Sequence, residues 1–268
     1  MDNEKVRQSY ASVADRYIEL FGDRQQLHRD DLAFIGRHLA GRRGAVLDLG
    51  CGPGHVTDYL RELGVDATGI DMVPEFIDHA RVAYPNGRYE FGCVGSLDAA
   101  DHSVAGLLAW YSLIHLAPQD LHGVLTEFRR AMAPAGMLVL GLFDGAEMTA
   151  FDHKVVSAYR WPVDEISKRL ARAGFTEVER LQRPPTTIIG RTSQLRRSRR
   201  TVSRFGESSH PLIESIVHRR RQIRASRPTD WNTAQGHMGW RMTVQGCYSA
   251  DSVDFIGWAA MLATGLCR

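Results

Sequence analysis

Seven consecutive residues, Asp48-Leu49-Gly50-Cys51-Gly52-Pro53-Gly54, have the composition of a turn that binds a ligand through its main chain. Glycine permits positive φ and lets a ligand approach the backbone with no Cβ in the way. A helix that starts after such a turn presents free N–H groups. Further along stands Asp71, the last residue of the apolar stretch 66–71. A carboxylate at that point can accept hydrogen bonds from both hydroxyls of a ribose. Glycine turns also hold the pyrophosphate of dinucleotides, but the spacing there is G-x-G-x-x-G, and here it is G-x-G-x-G. Asp48 adds a second distinction. A fixed negative charge beside a pyrophosphate is unfavourable, whereas beside a cationic group it is favourable. Spacing and charge together argue against a nicotinamide cofactor.

Such a turn works only between a strand and a helix, and the flanking pattern supplies both. The spacing predicts strands over 45–49, 66–71, 88–92, 104–111, 136–143 and 176–181. Helices are expected between them over 55–63, 74–84, 119–132 and 163–173. Two amphipathic helices, over 4–20 and 26–40, precede this series. Strands alternating with helices imply an α/β fold: a Rossmann-like, doubly wound, mostly parallel sheet of six to seven strands with helices on both faces.

At this point the sequence resembles the class I S-adenosylmethionine-dependent methyltransferases of the small-molecule type. Asp48 to Gly54 resembles their first motif, and the likeness spans about residues 5–185. The resemblance implies S-adenosyl-L-methionine as cofactor and a strand order of 3-2-1-4-5-7-6 with the seventh strand antiparallel. It implies that Asp48, Gly50, Cys51, Gly52 and Gly54 line the methionine part, and that Asp71, with Met72 beside it, holds the ribose. Gly95, Ser96 and Leu97 fall where the family holds adenine. Ala109-Trp110-Tyr111-Ser112 is similar to its fourth-strand motif, which puts Tyr111 by the cofactor. Tyr10 and Tyr17 are similar to aromatic residues that cover the cofactor.

Methyl transfer needs alignment and a dry site more than it needs acid or base groups. His115, just past the fourth strand, could serve as a base or orient an acceptor, and could equally be a structural histidine. Tyr10, His115, Phe143, Tyr159 and Trp161 are the candidates for an acceptor pocket, with ordinary packing as the alternative. Cys51 reads as a small residue chosen for fit. Asp152 and His153 make no metal spacing with a second pair, so no metal is expected.

Composition separates two regions. Residues 1–185 hold 20 Lys+Arg and 26 Asp+Glu, a net −6, whereas 186–268 hold 13 and 5, a net +8. The expected organisation is a methyltransferase domain over 1–185, with a helical cap over 1–42 and a Rossmann-like core over 43–185. An atypical, poorly ordered basic tail is expected over 186–268. Its arginine runs at 196–200 and 219–221 read either as a nucleic-acid-binding arm or as the product of a coding frame that changed near residue 186. No apolar seventh strand stands at the expected distance, which predicts an unpaired edge between the fifth and sixth strands. The polar N-terminus, the lack of a long apolar run and four scattered cysteines lead to the expectation of a cytoplasmic protein that meets no membrane, and the resemblance implies a small-molecule acceptor.

Overall fold

A computed structural model describes residues 3–183 and 240–247. The N-terminal cap comprises α1 (Asn3–Ala11), α2 (Ala14–Phe21), a 3-10 turn (Arg24–Gln26) and α3 (Arg29–Leu39). The single helix expected over 4–20 is thus two helices. The apolar period runs through Ser12 and Val13, but the Ser12 hydroxyl turns back and donates to the Ser9 carbonyl at 2.8 Å, and Val13 leaves helical geometry with ψ 12°. Serine offers its own backbone this alternative to helix continuation.

The alternating series then follows as β1 (Val46–Leu49), α4 (His55–Glu62), β2 (Ala67–Asp71), α5 (Pro74–Ala83) and β3 (Arg88–Phe91). Next come β4 (Val104–Trp110), α6 (Leu121–Ala131), β5 (Met132–Asp144), a hairpin of β6 (Thr149–Phe151) and β7 (Ala158–Trp161), α7 (Val163–Arg172) and β8 (Phe175–Arg183). The last described element is β9 (Trp240–Cys247). Strands β3-β2-β1-β4-β5 are neighbours in that order and all parallel.

The central strands read as apolar runs because both of their faces are buried. Leu47, Leu49, Leu107, Ala109, Leu138, Leu140 and Leu142 point to one side, under Leu125 and Phe128 of α6 and Ile166 and Leu170 of α7. Val46, Leu108, Met137 and Val139 point to the other, under Phe34, Ile35 and Leu39 of α3 and Val56 and Leu60 of α4. The alternation follows from the two-residue period of a strand. It fixes the register, and so delivers the carboxyl ends of β1, β2, β4 and β5 to one edge.

Beyond β5 the structure departs from expectation. β9 lies between β5 and β8, with Met137–Phe143 opposite Arg241–Cys247 and Phe175–Arg183 opposite Trp240–Cys247. The edge expected to be unpaired is therefore filled, and the domain boundary at 185 is amended: eight residues of the basic tail belong to the central sheet. In chain numbering the order is 3-2-1-4-5-9-8, which is the family's 3-2-1-4-5-7-6 order. The orientation differs, since β9 is parallel to both neighbours. A closing hairpin can deliver only an antiparallel strand, but residues 184–239 make a connection long enough for a crossover. The β6–β7 hairpin, unforeseen in the sequence, joins β5 at Phe143 and Asp144. The readings of the tail as a nucleic-acid arm or a changed frame fall outside the described residues. Among the described residues no helix is long and apolar enough to cross a membrane.

A proline in β9 tests this arrangement. Val244 sits opposite both Leu140 and Arg180, so Val244→Pro removes a ladder donor inside the sheet. The expected loss is about 3 kcal/mol or more in equilibrium unfolding. An unchanged denaturation midpoint would show that 240–247 does not pair there.

Candidate functional site

The glycine turn is held from below by β2. The N–H groups of Gly50 and Cys51 both donate to the Ile70 carbonyl, at 2.7 and 3.1 Å, and Gly54 N–H donates to the Cys51 carbonyl at 3.1 Å. Gly50 has φ +72°, and a Cβ there would come within 2.4 Å of Ser112 Cβ. Gly52 has φ +52°, and a Cβ there would meet nothing within 4 Å. The first glycine is thus forced by the approach of the segment after β4. The second leaves open space above the turn.

Two buried carboxylates flank that space. Asp71 Oδ2 accepts from Gly52 N–H at 2.8 Å and Oδ1 accepts from Val73 N–H at 2.9 Å. Asp48 Oδ2 accepts from the Thr57 hydroxyl at 2.7 Å. Burial pushes Asp71 up to about 6, against the pull of its N–H donors. Burial also pushes Asp48 up to about 7, with the charge of Asp71 adding and the Thr57 hydroxyl opposing. The Met72 N–H also bonds the Asp71 carboxylate, which retains acceptor capacity for a further donor.

The N-terminal cap closes over this corner. Tyr10 and Tyr17 meet edge to face at 5.6 Å, and both pack on Phe76 of α5, at 6.1 and 5.1 Å. Met72 and Val73 complete the cluster. The break at Ser12–Val13 lets both tyrosines reach it. Burial raises the Tyr17 phenol to about 12 and Tyr10 well above the ordinary phenol range, so both keep their protons.

From Tyr10 the site continues toward β4 and β5. Tyr10 Oη lies 2.9 Å from His115 Nε2, and His115 Nδ1 lies 2.9 Å from the Ser157 carbonyl. A carbonyl can only accept, so Nδ1 carries the proton and Nε2 accepts from the phenol. Burial lowers the His115 pKa against the pull of the Ser157 carbonyl, and the ring is neutral at neutral pH. His153 packs on His115 at 5.2 Å and is lowered to about 4, first by burial. Tyr111, at φ +56°, touches Phe143 at 5.2 Å, and Phe143 touches Phe151 at 5.5 Å.

The expected site residues are thus divided. Asp48, Gly50, Cys51, Gly52, Gly54, Asp71 and Met72 gather at the turn, with Tyr10 and Tyr17 over it. His115 and Phe143 lie together beyond Tyr10, with Tyr111 against Phe143. Cys51 packs against Ile77, Ala80 and Tyr89, and burial pushes its thiol well above the ordinary range, so it is no nucleophile. Two expectations are corrected. Leu97 is buried in the main core and its N–H donates to Glu127 Oε1 at 2.8 Å, so that amide is not available to adenine, although Gly95 and Ser96 are exposed. Trp161 is 2% exposed under Arg169, 5.1 Å away, and is part of the core rather than an acceptor pocket. Tyr159 is half-buried, with its N–H bound to the Ile114 carbonyl at 2.8 Å.

Sequence reasoning missed Phe76, Phe151, the part played by His153, and the Ser112 hydroxyl. Ser112 Oγ is buried beside Gly50 with no partner among the described residues. An orphaned hydroxyl next to the open space over Gly52 suits a polar ligand, as do two carboxylates that favour hydroxyl donors and a cationic centre. S-adenosyl-L-methionine carries both, so the donor set fits it. No cluster of three metal-ligating side chains occurs among the described residues.

The sheet order, the glycine turn at the end of β1 and the carboxylate at the end of β2 define a class I S-adenosylmethionine-dependent methyltransferase fold. Residues 46–136 match the family model described as a methyltransferase domain. A malonyl-[acyl-carrier protein] O-methyltransferase of Erwinia billingiae is 26% identical over 164 residues, 61% of either chain. An uncharacterized methyltransferase of Mycobacterium bovis is 35% identical over 98 residues, 35% of this chain and 38% of that one. The chain therefore spans less than two thirds of the length of these curated relatives. A solved structure of similar fold is the 1,6-didemethyltoxoflavin-N1-methyltransferase of Burkholderia thailandensis, with a TM-score of 0.54 and 24% identity. The match covers 65% of this chain and 77% of that one.

Replacing Asp71 by alanine removes the acceptor at the end of β2. Asp71→Ala is expected to weaken S-adenosylmethionine binding by about 1–3 kcal/mol in calorimetric titration. Unchanged affinity would remove Asp71 from the site.

The raised carboxylates also set a pH dependence. Hydroxyl donors and a cationic centre stabilise only the ionised forms, so protons compete with the ligand at and below the values of about 6 and 7. Affinity should rise with pH through that window and level off near about pH 8, with protons released on binding near about pH 6. Titration in buffers of different ionisation enthalpy measures this, and an affinity that falls as pH rises would contradict it.

Proposed function

We propose that this chain is an S-adenosylmethionine-dependent methyltransferase that acts on a small organic acceptor by in-line displacement. The observation that carries this reading is the Asp71 carboxylate gripping Gly52 N–H beneath open space, roofed by Tyr10, Tyr17 and Phe76. The cofactor, when bound, supplies an electrophilic methyl on a sulfonium. Asp71 accepts from the ribose hydroxyls, and Asp48 lends negative charge near the cationic end. The aromatic roof excludes water, which strengthens every charge interaction beneath it.

The acceptor side supplies a proton path. An acceptor O–H or N–H placed at Tyr10 Oη gives its proton to the phenol oxygen as the phenol's own proton moves to His115 Nε2. The Ser157 carbonyl holds the resulting imidazolium through Nδ1–H. Tyr10 is then the group that touches the acceptor, and His115 acts through it. Because burial lowers the His115 pKa, the ring takes a proton only while the acceptor needs to lose one.

Tyr10→Phe separates this path from a purely structural contact. It keeps the ring packing on Phe76 and Tyr17 and removes the relay oxygen. Single-turnover transfer of labelled methyl to an acceptor found by screening should slow by about 10²-fold or more, with S-adenosylhomocysteine affinity unchanged. A turnover rate equal to that of the native chain would leave Tyr10 only a packing role.

A further inference from the structure

At the far end of the aromatic wall stands a cation that the methyl-transfer site does not use. Arg160 lies on β7 opposite Phe143 of β5, at the same carboxyl edge of the sheet as the rest of the site. Its guanidinium sits over the Phe151 ring, 4.4 Å from the centroid. Its Nε is buried and has no hydrogen-bond partner among the described residues. No carboxylate among them pairs with it. Asp144, beside Phe143 at the end of β5, is engaged elsewhere: Oδ1 accepts from Gly145 N–H at 2.7 Å and Oδ2 from Gln182 Nε2 at 2.9 Å. Arg130 and Arg180, by contrast, each pair with two acids. A desolvated guanidinium donor left unmade costs free energy, and a planar carboxylate laid side-on to Nε and one Nη satisfies two donors at once.

The path from the cofactor corner to Arg160 is a run of rings. Tyr111 to Phe143 is 5.2 Å, Phe143 to Phe151 is 5.5 Å, and Phe151 to the guanidinium is 4.4 Å. His153 borders the same rings at 6.2 Å from Phe143 and 6.1 Å from Phe151. Phe143 itself is buried, and the half-buried rings of Tyr111, Phe151 and His153 around it leave a flat molecule room to lie with one end toward His115 and Tyr10 and the other at Arg160.

We infer that Arg160 is an anion anchor and that the acceptor is a planar aromatic carboxylate. Its carboxylate binds Arg160 and its O–H or N–H is presented to Tyr10. A single guanidinium balances a single negative charge, and the rings on either side take up the apolar body. This rests on the methyltransferase reading above and names the acceptor class for that same site.

The test uses the full chain loaded with S-adenosylhomocysteine. Hydroxybenzoates and hydroxynaphthoates are titrated calorimetrically, each against its uncharged amide. The native protein should bind the best carboxylate about tenfold or more tighter than its amide. Arg160→Met should abolish that preference, and Arg160→Lys should keep part of it, with S-adenosylhomocysteine affinity the same in all three. Equal binding of acid and amide, binding of neither, or a preference that survives Arg160→Met overturns the inference and leaves the methyltransferase reading standing. Failure of the native protein to bind S-adenosylhomocysteine overturns both.

Discussion

The carboxylate of Asp71 is the constraint on which the rest of this site depends. It is buried at the end of a strand, where an ionised acid is costly, and it is tolerated because the Gly52 and Val73 N–H groups donate to it. The Gly52 bond ties the end of β2 to the glycine turn after β1, while the Val73 bond holds the carboxylate in place. The turn can stay in left-handed geometry only because Gly50 has no Cβ to strike Ser112. The β1, β2 and β4 ends are therefore locked to one another through main-chain contacts, and the ligand space over Gly52 is what remains between them. Side-chain identity matters little there. Most of the work falls to backbone N–H groups and to two acids whose charge is held in reserve by burial.

This explains why the cofactor corner was legible in the sequence. A site built from backbone needs glycines at fixed steps, and fixed steps survive as a readable string. The same holds for the central strands, whose apolar runs record burial on two faces. The helix break at Ser12–Val13 was not legible, because the apolar period continues through it while the backbone leaves helical geometry at Val13. The surroundings of Leu97 were not legible for a different reason. The local string resembles a ligand loop, but Glu127 of α6, thirty residues away, has taken the amide. Contacts of that range leave no local trace.

β9 is the extreme case. Its place in the sheet is set by β5 and β8, and between β8 and β9 run residues 184–239. A strand between two others draws its stability from both ladders, so a weak local pattern suffices to hold it. Its parallel direction follows from arriving through a long connection rather than a hairpin. Position in the sheet has been kept while direction has changed, so the slot beside β5 is a requirement of the exposed strand edge more than of any one chain path.

The two sides of the site have opposite electrostatic characters, and burial produces both. On the cofactor side it raises two carboxylates, to about 6 and about 7, so that protons compete with a cationic ligand for them in that pH range. On the acceptor side it lowers two histidines, which stay neutral and leave a proton acceptor at Nε2 rather than a fixed positive charge. A nucleophile entering between them meets negative charge behind the methyl donor and an apolar, unprotonated wall on its own side. In the proposed reaction the carboxylates hold the cationic cofactor rather than drive its methyl outward, and the positive charge lost from the sulfonium reappears as the proton taken up at His115. The aromatic rings that make the wall apolar also isolate Arg160 from water at its Nε. The low dielectric that tunes the histidines is thus the same one that leaves Arg160 in want of an anion.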